Sequence, residues 1–152
     1  MERVLIVAKT HMRSGACVSG LTRDTNRSIR LLTPDGSNQP ANAPFEVGQV
    51  WEIEFQPRPE IIPPHVEDVL VTQQRCIGQS SKLRNILIQR VRPWQDGPEH
   101  LFDGKLTIEN TSYISRAGGL PNQSTGYWLP SNPLSLNLHY REGSLTIKLI
   151  TQ

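Results

Sequence analysis

Proline and glycine punctuate this chain so densely that no long regular element fits between them. Twelve Pro and eleven Gly are spread through 152 residues. The runs they bound are short and either alternate with period 2 or are solidly β-branched, which is the pattern of an all-β barrel or sandwich. Residues 3–9 (RVLIVAK) read as a buried strand and 12–15 as a turn. Residues 16–22 (ACVSGLT) read as a second strand with Gly20 as a candidate bulge, and 28–33 (SIRLLT) as a third. These three form a meander that ends in the turn Pro34-Asp35-Gly36. Residues 36–44 (GSNQPANAP) read as a loop too polar and Pro-rich to pack. Residues 47–55 (VGQVWEIEF) form a half-buried strand, with Trp51, Ile53 and Phe55 on one face and Glu52 and Glu54 on the other. A stiff extended segment, 56–64, leads to a further strand at 68–72 (DVLVT).

One stretch has helical spacing. Over 81–92 (SKLRNILIQRVR), Leu83, Ile86, Leu87 and Val91 share a face. Ser80 or Ser81 is positioned to cap this helix and Pro93 to stop it. Ile86 and Ile88 also alternate, so a strand over 85–91 stays open. Residues 93–104 are turn-rich, 105–114 fit either element type, and Gly118 to Gly126 read as loop. Near the end, Leu134, Leu136, Leu138 and Tyr140, then Leu145, Ile147 and Leu149, alternate with polar residues about a turn at Glu142-Gly143, which reads as a hairpin with one buried face.

Composition narrows the classes of function. No apolar run approaches the roughly 18 residues of a membrane span, and no secretory signal follows the first strand, so the expected location is the cytoplasm with no membrane partner. Sixteen basic against 14 acidic residues leave a net charge of +2, which is not the strong basicity of a DNA-coating protein. Cys17 and Cys76 lie far apart and read as two reduced, packed thiols. With no CxxC and four scattered histidines (His11, His65, His100 and His139), no metal site is expected. The phosphate-loop, HExxH and GxSxG patterns are absent, so no catalytic residue and no cofactor are expected.

Binding features stand out more. The first meander carries Lys9, His11, Arg13, Arg23, Arg27 and Arg30. Basic side chains on one outer face of a barrel can follow a phosphate backbone. A second basic stretch holds Lys82, Arg84, Arg90 and Arg92 and ends at Trp94, the pairing of Arg with an aromatic plane that suits base stacking. The bland readings are a solvated helix face and a Trp packed in a core. Tyr127-Trp128, after the Gly-rich loop, suits either a ligand lid or an anchor for the last β unit.

The order of several segments carries a resemblance. Residues 3–10 (RVLIVAKT), then Cys17-Val18-Ser19-Gly20, then 27–36 (RSIRLLTPDG), 47–55 and 65–71 (HVEDVLV) resemble the dual OB-containing domain family. The likeness covers residues 3–72; beyond them only the helix and the closing hairpin agree in order. It implies two linked OB-like barrels, nucleic-acid binding and frequent association with prokaryotic defence systems, and it implies no catalytic mechanism. The expected fold is mainly β: a small OB-like barrel over 1–75, then over 76–152 a helix and a second OB-like β unit, full or reduced, packed on the first. The expected function is a non-enzymatic nucleic-acid-binding accessory protein. Its DNA or RNA site would comprise Lys9, His11, Arg13, Arg23, Arg27, Arg30, Arg90, Arg92 and Trp94. Two alternatives are a module docking on a larger protein effector and a nucleotide or small-ligand sensor.

Overall fold

Three consecutive apolar residues in the first strand, Val4, Leu5 and Ile6, are all buried, although alternate residues of a strand point to opposite faces. Both faces of this strand are therefore covered. The computed structural model describes residues 1–108, 112–132, 134–141 and 144–151. They form two compact units, Met1–Arg92 with Gln123–Thr125, and Pro93–Asn122 with Gly126–Gln152.

The first unit is a closed barrel of β1 (Glu2–Met12), β2 (Gly15–Thr22), β3 (Ser28–Leu32), β4 (Gln49–Pro57) and β5 (Asp68–Gln79). The strands follow the order β1-β2-β3-β5-β4, and β4 pairs back onto β1. The parallel pairing of Arg30 with Asp68 through Leu32 with Leu70 joins β3 to β5 and closes the circuit. Inside lie Val4, Ile6, Val18, Ile29, Leu31 and Ile53, each almost wholly buried. The Trp51, Ile53 and Phe55 face points inward as expected.

The barrel differs from the sequence reading in several places. The bulge lies in β1, between Ile6 and Ala8, and Gly20 is the residue opposite it. Glycine is needed there because a Cβ at Gly20 would stand 2.3 Å from Val4 Cγ1. The 36–44 loop does pack. Gln39 and Ala43 are buried, and the Ala16 N–H donates to Gln39 O at 2.7 Å. Just beyond, Phe45 is fully buried against Trp51, with ring centroids 4.7 Å apart. One deep aromatic and the backbone bonds of its approach are enough to bury a polar segment that has no periodicity to reveal it. Cys76 is exposed, not packed, because β5 runs on to Gln79 along an exposed stretch. The turn after β3 matches expectation: the Gly36 N–H donates to Thr33 O at 2.9 Å. Hydrogen bonds from the Thr33 hydroxyl and the Ser37 N–H hold the Asp35 carboxyl below its ordinary pKa.

α1 (Leu83–Arg90) follows β5, so the strand reading of 85–91 does not hold. It begins two residues later than the sequence suggests, with Lys82 at the N-cap and no side-chain cap; Ser80 Oγ instead accepts from the Lys82 N–H at 3.3 Å.

In the second unit, β6 (Trp94–Gln95) pairs in parallel with β9 (Trp128–Leu129), and β7 (Leu106–Ile108) pairs antiparallel with β8 (Ser112–Ile114). β10 (Leu134–Arg141) and β11 (Ser144–Thr151) form the expected antiparallel pair, from Leu134 opposite Thr151 to Arg141 opposite Ser144. The turn expected at Glu142-Gly143 lies outside the described residues. Among those described, the strands of this unit form three two-stranded sheets.

Candidate nucleic-acid interface

The register of the barrel builds a cleft on its outer surface. Leu5 stands opposite Leu21 on β2 and Val50 on β4, so the three side chains share one outer face. Ile86 of α1 lies against the same patch, and the four apolar side chains line one cleft of about 200 Å³. Leu5 and Leu21 are only 7% and 2% exposed, which is why β1 is buried on both faces.

The rim of this cleft is basic. Arg3 lies two residues before Leu5 and Arg23 two residues after Leu21, on the same outer face. The Arg23 N–H donates to Arg3 O at 2.8 Å, which extends the β1–β2 ladder and sets the two arginines opposite each other. From α1, Arg90 Nη1 donates to Arg23 O at 2.9 Å. Ser80 completes the lining, and no acidic residue is part of it. Glu52 on β4 is the cross-strand partner of Arg3. Glu52 is already hydrogen-bonded to Arg75, which lowers its pKa, with a smaller pull from Arg3.

The nine residues expected to form the site are dispersed. His11 and Arg13 are exposed at the β1–β2 turn. Arg23 and Arg27 are exposed at the β2–β3 turn, where the buried Thr22 Oγ1 accepts from the Arg27 N–H at 2.8 Å. The eight residues of β2 separate these turns, at about 3.3 Å per residue. Lys9 is largely buried, and its Nζ donates to Ala43 O at 2.9 Å and Glu46 Oε1 at 3.0 Å. Arg30 forms a two-pronged pair with Asp68 at 2.6 and 2.8 Å, and Arg58 adds a third contact at 3.1 Å. Burial opposes the charge on Arg30, but the hydrogen bonds and charge of Asp68 outweigh it and raise the pKa. Both side chains thus hold the barrel together, Lys9 by tying down the long loop and Arg30 by pinning β3 to β5. Arg92 is exposed beyond α1. Trp94 belongs to the second unit, its ring packed 5.0 Å from that of Phe102 and against the backbone of Gly126.

Of the nine, the fold therefore brings Arg23 and Arg90 together and joins them to Arg3, which sequence reasoning missed. The signal for Arg3 was weak. It opens an apolar strand and looks like an ordinary flanking charge until the pairing partner of β1 is known.

The chain matches the dual OB-containing domain family over residues 2–150. It belongs to that family. The closed five-stranded barrel of this dual OB-containing domain protein agrees with an OB module, the class of barrel that binds oligonucleotides and oligosaccharides on its strands and loops. No curated protein and no solved structure matches the chain. Among the described residues, no helix is long and apolar enough to cross a membrane, and no group of three His, Cys, Asp or Glu is placed to hold a metal ion.

Proposed function

We propose that this protein is a non-enzymatic nucleic-acid-binding accessory module, serving a prokaryotic defence system as the family resemblance implies. The observation that carries the proposal is the set of exposed guanidiniums on the turns of an OB barrel. Arg13, Arg23 and Arg27 are exposed and have no carboxylate partner among the described residues. Unpaired arginines on a barrel surface are suited to phosphate oxygens, which they grip in bidentate fashion.

Binding of this kind releases counterions, so affinity falls steeply with salt. Fluorescence anisotropy with labelled single-stranded and duplex DNA and RNA, at low and physiological salt, tests the proposal. Micromolar or tighter binding that weakens with salt is expected. Changing Arg13 and Arg27 to Gln should flatten the logarithmic salt dependence by about 2. Binding that is absent at low salt sinks the reading.

One observation favours a second reading, a module that docks on a larger protein. Ile61, Ile62 and Val66 in the Pro-rich β4–β5 connection are 57%, 45% and 40% exposed. Stiff Pro-rich segments lose little entropy on docking. This reading gains if no nucleic acid binds.

A further inference from the structure

The cleft between β1, β2, β4 and α1 contains an arrangement that folding alone does not favour. Arg3 on β1 and Arg23, the first residue past β2, stand opposite each other across the bond from the Arg23 N–H to Arg3 O, and like charges set opposite each other at the end of a ladder are unfavourable. α1 then brings a third guanidinium, Arg90, to the same rim. Glu52, the one acid adjacent to Arg3 across the β1–β4 pair, is shared with Arg75. Beneath the three cations lies a floor of Leu5, Leu21, Val50 and Ile86. Three cations gathered around an apolar hollow, with the Glu52 carboxylate beside Arg3 already engaged by Arg75, are a local inconsistency of the sort that marks functional sites.

We propose that this cleft seats one nucleoside phosphate unit, its phosphate on Arg3, Arg23 and Arg90 and its base over the apolar floor. The cleft volume of about 200 Å³ falls below the roughly 300–1,000 Å³ of pockets that enclose a whole small molecule. It suits a single ring system with the sugar and phosphate at the mouth. Guanidinium planes stack on bases as well as binding phosphate, so arginines at a rim can serve both ends of a nucleotide. A base enters such a hollow only when it is unstacked, so the site selects single strands over duplex. In this form the inference rests on the nucleic-acid reading above. The same chemistry is offered by a free mononucleotide.

The test uses the whole 152-residue chain and four probes: a labelled oligothymidylate, its duplex with oligoadenylate, an abasic oligomer of equal length, and AMP. Variants Arg3→Gln and Arg3→Gln/Arg90→Gln are compared with Arg13→Gln/Arg27→Gln, which alters turn arginines outside the cleft. The single-stranded oligomer should bind the wild type more tightly than duplex or abasic competitors. Each cleft substitution should weaken it about tenfold, and the double variant should flatten the salt dependence by about 2. If the strand binds and only the turn variant weakens it, the cleft is wrong and the nucleic-acid reading survives. If the strand does not bind but AMP does, and the cleft variants abolish that, the cleft is a free-nucleotide site and the nucleic-acid reading fails. Equal affinity for abasic and intact oligomers overturns the seating of a base. Should the double variant not fold, AMP titrated into the wild type gives the answer: movement of the Leu5, Leu21 and Ile86 amide resonances supports the site, and still resonances refute it.

Discussion

At the scale of single residues, the barrel is governed by a few close fits. Gly20 faces the β1 bulge with Val4 pressed against it, and both are buried. Gly20→Ala should therefore overpack the interior and cost about 1–3 kcal/mol, read as a lower urea midpoint at unchanged slope. An unchanged midpoint would mean that Val4 can step aside. The sequence marks Gly20 as special but assigns the bulge to the wrong strand, because a bulge is a property of two paired strands and only one is read at a time. Cations show the same limit. Nothing in the sequence around Lys9, Arg23 and Arg30 separates their roles. Yet Lys9 ties down a loop, Arg30 is locked onto the buried Asp68 and Arg23 sits free-headed at a cleft rim. What separates them is the partner that the fold supplies.

At the scale of elements, alternation locates the strands well, since burial of one face is a local demand that the pattern must meet. β1 to β5 all begin within two residues of their expected starts, except that β5 continues to Gln79. The continuation is exposed and has no apolar rhythm to announce it. The spacing of residues 81–92 points to α1 beside a strand alternative over 85–91 that only the structure removes, and it says nothing of the helix's strength. It is eight residues long, no residue of it is fully buried, and no side chain caps it. Such a short helix depends on packing more than on propensity. Placing Asp at the cap, as Lys82→Asp, should stabilise α1 by about 1 kcal/mol. Slower hydrogen exchange of the Ile86 to Val91 amides, with barrel amides unchanged, is the expected readout. Exchange that is not slowed would show that the helix is held by the patch under Ile86 and not by its end.

At the scale of the whole molecule, the first unit is not continuous in sequence. The chain leaves it after Arg92 and returns for Gln123–Thr125. There the Ser124 N–H donates to the buried Glu67 carboxylate at 3.1 Å, and its hydroxyl bonds the same oxygen. Glu67 O in turn accepts from the Arg30 N–H at 2.9 Å, beside the β3–β5 seam. Ser124→Ala should remove one bond from a buried acceptor and cost about 1–2 kcal/mol, seen as a lower thermal midpoint of the full chain. No change would mean that water replaces the hydroxyl. Nothing in the spacing of residues 67 and 124 foretells this contact. By itself, the sequence determined what local chemistry can dictate: a β protein with barrel strands in order, one helix, turns at Pro and Gly, and a surplus of arginine on the first meander. The tertiary structure decided which strands pair, and with that which charges are cancelled and which gather. Arg3 and Arg23 lie twenty positions apart in the chain and face each other only because β1 and β2 align Leu5 with Leu21. Pairing across strands is a long-range choice made by burial of the shared core, and no single strand carries that information.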